Sequence, residues 1–326
     1  MKYQEAAARL EKIEAGFDDA TKSLQQIFSN LKLTRSIEIP EGAPNTQKYA
    51  ASAAITSEMA DLMKEAANPD SVQVAILLGK IGDKVRLALP GGAMQSIEEI
   101  AWCEDPANAD TAAPGNLFYL LAQEKLLSTG RLDFFYDVPL ASENFQATLR
   151  ETLRREIGEE LSPEALARIQ LGGFLTGDRR TTLSTVKLPD VGISGLIAKK
   201  LASKGVQMDN KGVLSGVYTV VTERVAVAHG PLKDISLLAK ENEEAKGIRV
   251  KTFGEMLELS KKTAESDDTY TNFKDHHTDR HGSDGVRNPS TTWGLKLLAG
   301  WIKGLVIASD PYREGARASH ETYGGS

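Results

Sequence analysis

The sequence predicts an α/β fold, a mixed sheet with helices on its faces, extended by helical segments at both ends. Three observations predict it. Short runs of β-branched and aromatic residues alternate with amphipathic stretches through the middle of the chain. The N-terminal stretch repeats apolar residues at spacings of three and four, and a strong apolar helix face recurs near the C-terminus. With 326 residues, 41% of them apolar, the chain can build one large or two modest domains around a buried core.

At the N-terminus, Tyr3, Ala6, Leu10, Ile13, Phe17, Ala20, Leu24, Ile27 and Leu31 form a heptad seam. Such a coiled-coil seam either joins two chains into a homo-oligomer or packs against its own domain, and Ala6 and Ala20 weaken a free-standing zipper. A second amphipathic segment is expected at 47–67, after a break holding Pro40 and Pro44. Residues 72–78 and 85–89 read as a hairpin around Gly82-Asp83, and 132–138 as a third strand. A helix follows, capped by Ser142 or Asn144 and ended by Pro163. Further strands are expected at 170–175, 181–188, 216–227 and 248–252, then a helix at 254–262. The order suits a mixed sheet with helices on its faces. Residues 103–116, rich in Asp, Ala and Pro, read as a long surface insertion.

The polar tail carries Asp275-His276-His277-Thr278-Asp279-Arg280-His281, a cluster that could bind a transition metal but has no second ligand group at fixed spacing. Beyond it, Trp293, Leu297, Leu298, Trp301, Ile302 and Leu305 make a helix face interrupted by Lys296 and Lys303, expected to dock on the domain or on a partner subunit. These features divide the chain into a helical arm (1–68), a central domain (69–262) and a linker with a C-terminal helix (263–326).

Charge and composition exclude some functions. A net charge of −6 gives no electrostatic reason to bind nucleic acid. The single cysteine, Cys103, excludes an intramolecular disulfide framework and suits a reducing, cytoplasmic compartment. The N-terminus is charged and does not read as a signal peptide, and no apolar run is long enough to cross a membrane.

The chemistry concentrates in Arg155-Glu156-Ile157-Gly158-Glu159-Glu160. On a helix, Glu156, Glu159 and Glu160 fall in one sector, where like charges repel. Either the face is solvated and salt-bridged, or a divalent cation neutralises it; Mg²⁺ takes a few carboxylates and completes its shell with water and phosphate oxygens. Phe145, Leu149, Leu153, Ile157 and Leu161 recur every four residues and would pack this helix on a sheet, leaving the carboxylates at a cleft.

This stretch resembles the second half of the Nudix box, G-x5-E-x7-R-E-U-x-E-E-x-G-U with U aliphatic, the metal-binding motif of the Nudix hydrolases. Arg155, Glu156, Ile157, Glu159 and Glu160 match it. The first half is degenerate: the family Gly falls on Ala141 and the first Glu on Ala147, and the closing Gly-U falls on Ser162-Pro163. Tyr136-Asp137-Val138-Pro139-Leu140-Ala141 echoes the family's lead-in loop. A second placement, Leu89-Pro90-Gly91-Gly92 with Glu98, fits the front half, but it puts Pro106 where the Arg should stand and a long insertion between loop and helix. The Ala141 placement is therefore preferred, and Pro90-Gly91-Gly92 reads as an ordinary turn.

The resemblance covers roughly residues 70–260. It implies an α/β/α sandwich and Mg²⁺- or Mn²⁺-dependent hydrolysis of a nucleoside diphosphate linked to another group. It further implies that Glu156, Glu159 and Glu160 hold the metal with the backbone carbonyl of Ala141. Glu159 would act as general base and Arg155 would orient the carboxylates, itself held by Glu151 in place of the missing first Glu. A last ligand would come from the run Glu241, Glu243 and Glu244, with Glu244 preferred. The Asp178-Arg179-Arg180 turn is either a polar hairpin turn or, as in ADP-ribose-type members, a place where Arg179 or Arg180 contacts a phosphate. The substrate expected is a small nucleotide such as ADP-ribose. The competing expectation is a non-catalytic Nudix-like module for ligand sensing or assembly.

Overall fold

The computed structural model describes residues 2–30, 45–81, 84–93, 143–187, 207–208, 213–243, 245–265 and 289–310. Their elements run α1 (Lys2–Asn30), β1 (Asn45–Thr56), α2 (Met59–Glu65), a 3-10 turn (Pro69–Ser71), β2 (Gln73–Ile81), β3 (Lys84–Ala88), β4 (Gly91–Ala93) and α3 (Glu143–Glu160). After these come α4 (Pro163–Leu166), β5 (Gln170–Phe174), β6 (Arg179–Lys187), β7 (Gln207–Met208), β8 (Val213–His229), α5 (Leu232–Leu238), β9 (Ala245–Thr252), α6 (Phe253–Glu265) and α7 (Pro289–Ala308).

The fold is mixed α/β. The strands join one mixed sheet with the path β3-β2-β1-β8-β5. β1 runs parallel to β8 along its whole length, from Asn45↔Tyr218 to Thr56↔His229. β4 pairs antiparallel with β1, while β5 and β6 both pair antiparallel with β8. Strand alternation sends successive side chains to opposite faces, and each face is covered by helices. On one face Ala54, Ile76, Val225 and Val227 meet Phe17 of α1, Phe253 of α6 and Leu295 and Leu298 of α7. On the other, Tyr49, Ala51, Ala53, Ala226 and Ala228 meet Leu149, Leu153, Ile157 and Leu161 of α3 and Ile235 of α5.

The expected hairpin forms between β2 and β3, and the four expected strands after α3 appear as β5, β6, β8 and β9. The apolar stripe of α3 is buried from Leu149 to Leu161; the side chain of Phe145 lies outside the described residues. Asn144 falls inside α3, and Pro163 opens α4, where the Ser162 hydroxyl caps the helix by accepting from the Ala165 N–H at 3.0 Å.

Three expectations are corrected. The segment 47–67 is not one amphipathic helix; it contains β1, a central strand, followed by the short α2. Its alanines favour helix by propensity. Here Ala51, Ala53 and Ala54 are buried because their small side chains let helices approach both faces of the strand, and this packing overrides propensity. The division at residue 68 consequently fails, since the supposed arm supplies a central strand, and α1 and α7 share one core with the sheet. Finally, the N-terminal seam is not a free dimerisation face. Leu10, Ile13, Phe17 and Leu24 are fully buried within the same chain, with Phe17 edge-on to Phe253 at 5.8 Å between ring centroids.

The same contact accounts for the lysines that interrupt the C-terminal helix. Lys296 binds Asp18 at 2.6 Å and Lys303 binds Glu14 at 2.7 Å, so α7 docks on α1 of its own chain. No helix among the described residues is long and apolar enough to cross a membrane. The expected strand at 132–138, the insertion at 103–116, Cys103 and the histidine cluster lie outside the described residues.

Candidate metal and phosphate site

The site is built where α3 crosses β4. Leu153 and Ile157 press α3 onto the sheet, which turns the flank bearing Glu156 and Glu160 toward Gly91 and Gly92. The Gly91 N–H donates to the Glu160 carboxylate at 2.7 Å. A Cβ built on Gly92 would land on the Glu156 carboxylate, so only glycine leaves that carboxylate its place. Gly91 has φ +140°, a conformation suited to glycine, and a side chain there would collide with the Ala51 carbonyl of β1.

Ala141 lies outside the described residues, and the placement set aside, Pro90-Gly91-Gly92, is the one brought against Glu156 and Glu160. The pairing of β4 with β1 explains this. It fixes the glycines on the sheet while 49 intervening residues, 94–142, separate them from α3 in sequence only.

Arg155 joins the acidic residues. Its Nη2 binds Glu156 Oε1 at 2.8 Å and its Nη1 binds Glu159 Oε2 at 2.9 Å. Glu151, expected to hold Arg155, is instead paired with Arg154 at 2.6 Å. Burial grades the trio: Glu160 is 5% exposed, while the side chains of Glu156 and Glu159 are 15% and 46% exposed. Among the described residues, no group of three His, Cys, Asp or Glu side chains is gathered closely enough to hold a metal ion by itself. Glu156 and Glu160 remain as an oxygen-only pair beside glycine backbone, a donor set that fits Mg²⁺ or Mn²⁺ when phosphate oxygens and water complete the shell.

The acidic loop after α5 reaches the same place. Asn242 Nδ2 donates to the carbonyls of Glu159 at 2.7 Å and Glu160 at 3.0 Å, capping the C-terminus of α3. Glu241 and Glu243 flank it and are exposed; Glu244 lies outside the described residues.

The Asp178-Arg179-Arg180 turn divides its charges between the two faces. Arg179 is buried, 8% exposed, on the face of α7; its Nη1 binds Glu223 at 2.6 Å and the Ser290 hydroxyl at 2.9 Å. That places Arg179 across the sheet from Glu156 and Glu160, paired within the fold rather than beside the carboxylates where a phosphate contact was expected. Arg180 is exposed and points to the α3 face by alternation, in register with Thr222 and, one strand further, Tyr49.

Sequence reasoning missed Arg224. It shares the α3 face, its Nε donates to Asp178 Oδ1 at 2.8 Å, and its guanidinium lies 5.9 Å from the centre of the Phe174 ring. The signal was present: Glu223-Arg224 places two charges inside a strand otherwise rich in Val, Thr and Ala. No protein-family model matches the chain, and no curated protein matches it at a significant level.

Proposed function

We propose that this chain is a Nudix-type hydrolase that cleaves a nucleoside diphosphate linked to another group, in a reducing intracellular compartment. The observation that carries the reading is the seating of Gly91-Gly92 against Glu156 and Glu160. A glycine pair whose backbone approaches two carboxylates makes an oxygen-lined niche between β4 and α3, with acid groups that an isolated helix face would gain nothing by gathering. Mg²⁺ or Mn²⁺ bound there would supply charge neutralisation for a pyrophosphate and lower the pKa of an attacking water.

The chain's own residues divide the remaining work. Glu156 and Glu160 hold the cation, Glu160 in a geometry fixed by the Gly91 N–H. Glu159, the most exposed of the three, takes the proton of the attacking water. Arg155 holds Glu156 and Glu159 apart and in place. Arg180, on the same face, offers a guanidinium to a phosphate, which favours an ADP-ribose-like pyrophosphate over a triphosphate.

A second reading has its own observation. Arg155 already pairs with two of the three carboxylates, which partly neutralises the cluster without a cation. On that reading the chain is a non-catalytic module that senses a ligand or supports assembly. Assaying the full chain against ADP-ribose, dinucleotides and nucleoside triphosphates with Mg²⁺ or Mn²⁺ separates the two. Turnover that Glu160→Gln removes supports the hydrolase, and absence of turnover on every substrate supports the module.

A further inference from the structure

We propose that Asn242 is a positioning residue for the cation site: it ties the end of α3 to the sheet and so keeps Glu159 and Glu160 in place. The proposal rests on the reading that Glu156 and Glu160 hold a divalent cation.

The last turn of a helix leaves carbonyls without an intrahelical partner. Glu159 and Glu160 stand in that turn of α3, so two carboxylates of the trio sit on backbone that frays unless donors meet its carbonyls. The loop between α5 and β9 supplies them. Asn242 Nδ2 donates to the Glu159 carbonyl at 2.7 Å and to the Glu160 carbonyl at 3.0 Å. Beside it, the Lys240 N–H donates to the Leu161 carbonyl at 3.2 Å, and the Ser162 hydroxyl donates to the Leu238 carbonyl at 3.1 Å. Residues 159–162 are thus each joined to this loop.

The other side of Asn242 is tied to the sheet. Its Oδ1 accepts from the Ala245 N–H at 2.8 Å, and its own backbone N–H donates to the Ala245 carbonyl at 2.9 Å. Ala245 is fully buried at the start of β9, in register with Gly79 of β2. The sheet therefore grips Glu160 at both ends. Gly91 of β4 holds its carboxylate, and Asn242, anchored on β9, holds its carbonyl. Glu156 is placed separately, by Arg155 and the space over Gly92. Asn242 thus acts on the Glu160 end of the pair, and groups that orient ligands set metal affinity alongside the ligands themselves.

An amide offers two N–H donors and an acceptor in one plane, which the isosteric carboxylate does not. Asn242→Asp keeps the acceptor for Ala245, loses both donors and sets a carboxylate against two carbonyls. It also adds a negative charge beside the end of α3, which by charge alone would tighten cation binding. Positioning and charge therefore predict opposite signs. Asn242→Ala removes the same bonds without adding charge.

Mn²⁺ would be titrated into full-length wild type, Asn242→Asp, Asn242→Ala and Glu160→Gln, with free Mn²⁺ read by electron paramagnetic resonance and thermal midpoints recorded alongside. Only the binding that Glu160→Gln removes is assigned to the site. Both Asn242 variants, while folded, are expected to weaken that binding by about ten-fold. A role in stability alone would lower the midpoint and leave the Mn²⁺ affinity of the folded protein unchanged. That result overturns the proposal, as does tighter binding by Asn242→Asp. If Asn242→Ala fails to fold, the isosteric Asn242→Asp carries the test. A wild type that binds no Mn²⁺, or a Glu160→Gln that binds it equally well, overturns the metal reading itself, whatever the Asn242 variants do.

Discussion

Gly91 donates its backbone N–H to the Glu160 carboxylate at 2.7 Å, across 69 residues of sequence. This bond ties β4 of the sheet to the last turn of α3 and fixes the Glu160 carboxylate in place. Glu160→Gln keeps a side-chain oxygen that can accept from Gly91, so the fold and melting temperature should change little. The charge needed to hold a cation is gone, and turnover of any substrate found for the wild type should fall by about 100-fold or more. Undiminished kcat/KM in Glu160→Gln would remove it from the site.

The glycines give a sharper test than the carboxylates. Gly92→Ala drives a methyl group into the position of the Glu156 carboxylate without touching any charge. It should cost at least about ten-fold in kcat/KM, since misplacing one ligand group already carries that scale. Gly91→Ala adds strain at φ +140° and a collision with β1, a backbone cost of about 1–3 kcal/mol, read as a lowered denaturation midpoint. If Gly92→Ala retains full activity, the glycine strand is a structural turn and not part of the site.

How much of this was legible in the sequence depended on the range of the signal. The period of α3 and the pairing of β2 with β3 are local, and both are read directly from residue spacing. Glu156 and Glu160 could be chosen because they repeat within one helical turn. The partnership with Gly91-Gly92 was not legible, because pairing between β4 and β1 closes it across a long intervening segment, and sequence spacing argued against it. Arg179 and Arg180 look alike in a row of charges, and only strand alternation separates the buried one from the exposed one. β1 is hidden in the sequence because alanine carries a helix preference that a doubly covered strand ignores.

The heptad seam predicts a different outcome once its partners are known. The seam packs on α6 and α7 of the same chain, so sedimentation of the full chain should show no association that depends on it. Phe17→Ala should destabilise the protein by about 3–5 kcal/mol, the usual cost of emptying a buried aromatic site. A chain starting near residue 68 lacks β1 and should not fold. A full-length dimer that Phe17→Ala converts to a folded monomer would restore the zipper.

Acid should loosen the contact between α1 and α7. The hydrogen bond from Lys22, followed by that from Lys296, holds the Asp18 carboxyl below its ordinary value. Its folded pKa thus lies below its unfolded one, so its contribution is present above the ordinary carboxylate range and lost as pH falls through the lowered value. Asp70, held low chiefly by its hydrogen bond from Arg9, behaves the same way at the other end of α1. Denaturation midpoints measured from pH 7 down to pH 3 should fall more steeply for the wild type than for Asp18→Asn. Parallel curves for the two proteins would dismiss this pair as a source of acid sensitivity.

Arg179 offers a test of the division between the two faces. Its guanidinium is buried against Glu223 and Ser290, and the Ser290 hydroxyl itself donates to Glu223 at 2.8 Å, so the three groups form a closed network at the start of α7. Removing the cation leaves Glu223 partly buried beside a hydroxyl only. Breaking a buried pair from one side costs about 3–5 kcal/mol, and the lower end applies because the Glu223 side chain keeps 23% of its exposure. Arg179→Ala should therefore lower the urea midpoint strongly. Arg179→Ala combined with Glu223→Gln should recover part of the loss, because the stranded charge is gone. The folded fraction of Arg179→Ala should bind substrate with unchanged KM, since the network lies across the sheet from Glu156 and Glu160. A raised KM with a wild-type denaturation midpoint would place Arg179 in the substrate site and refute the division.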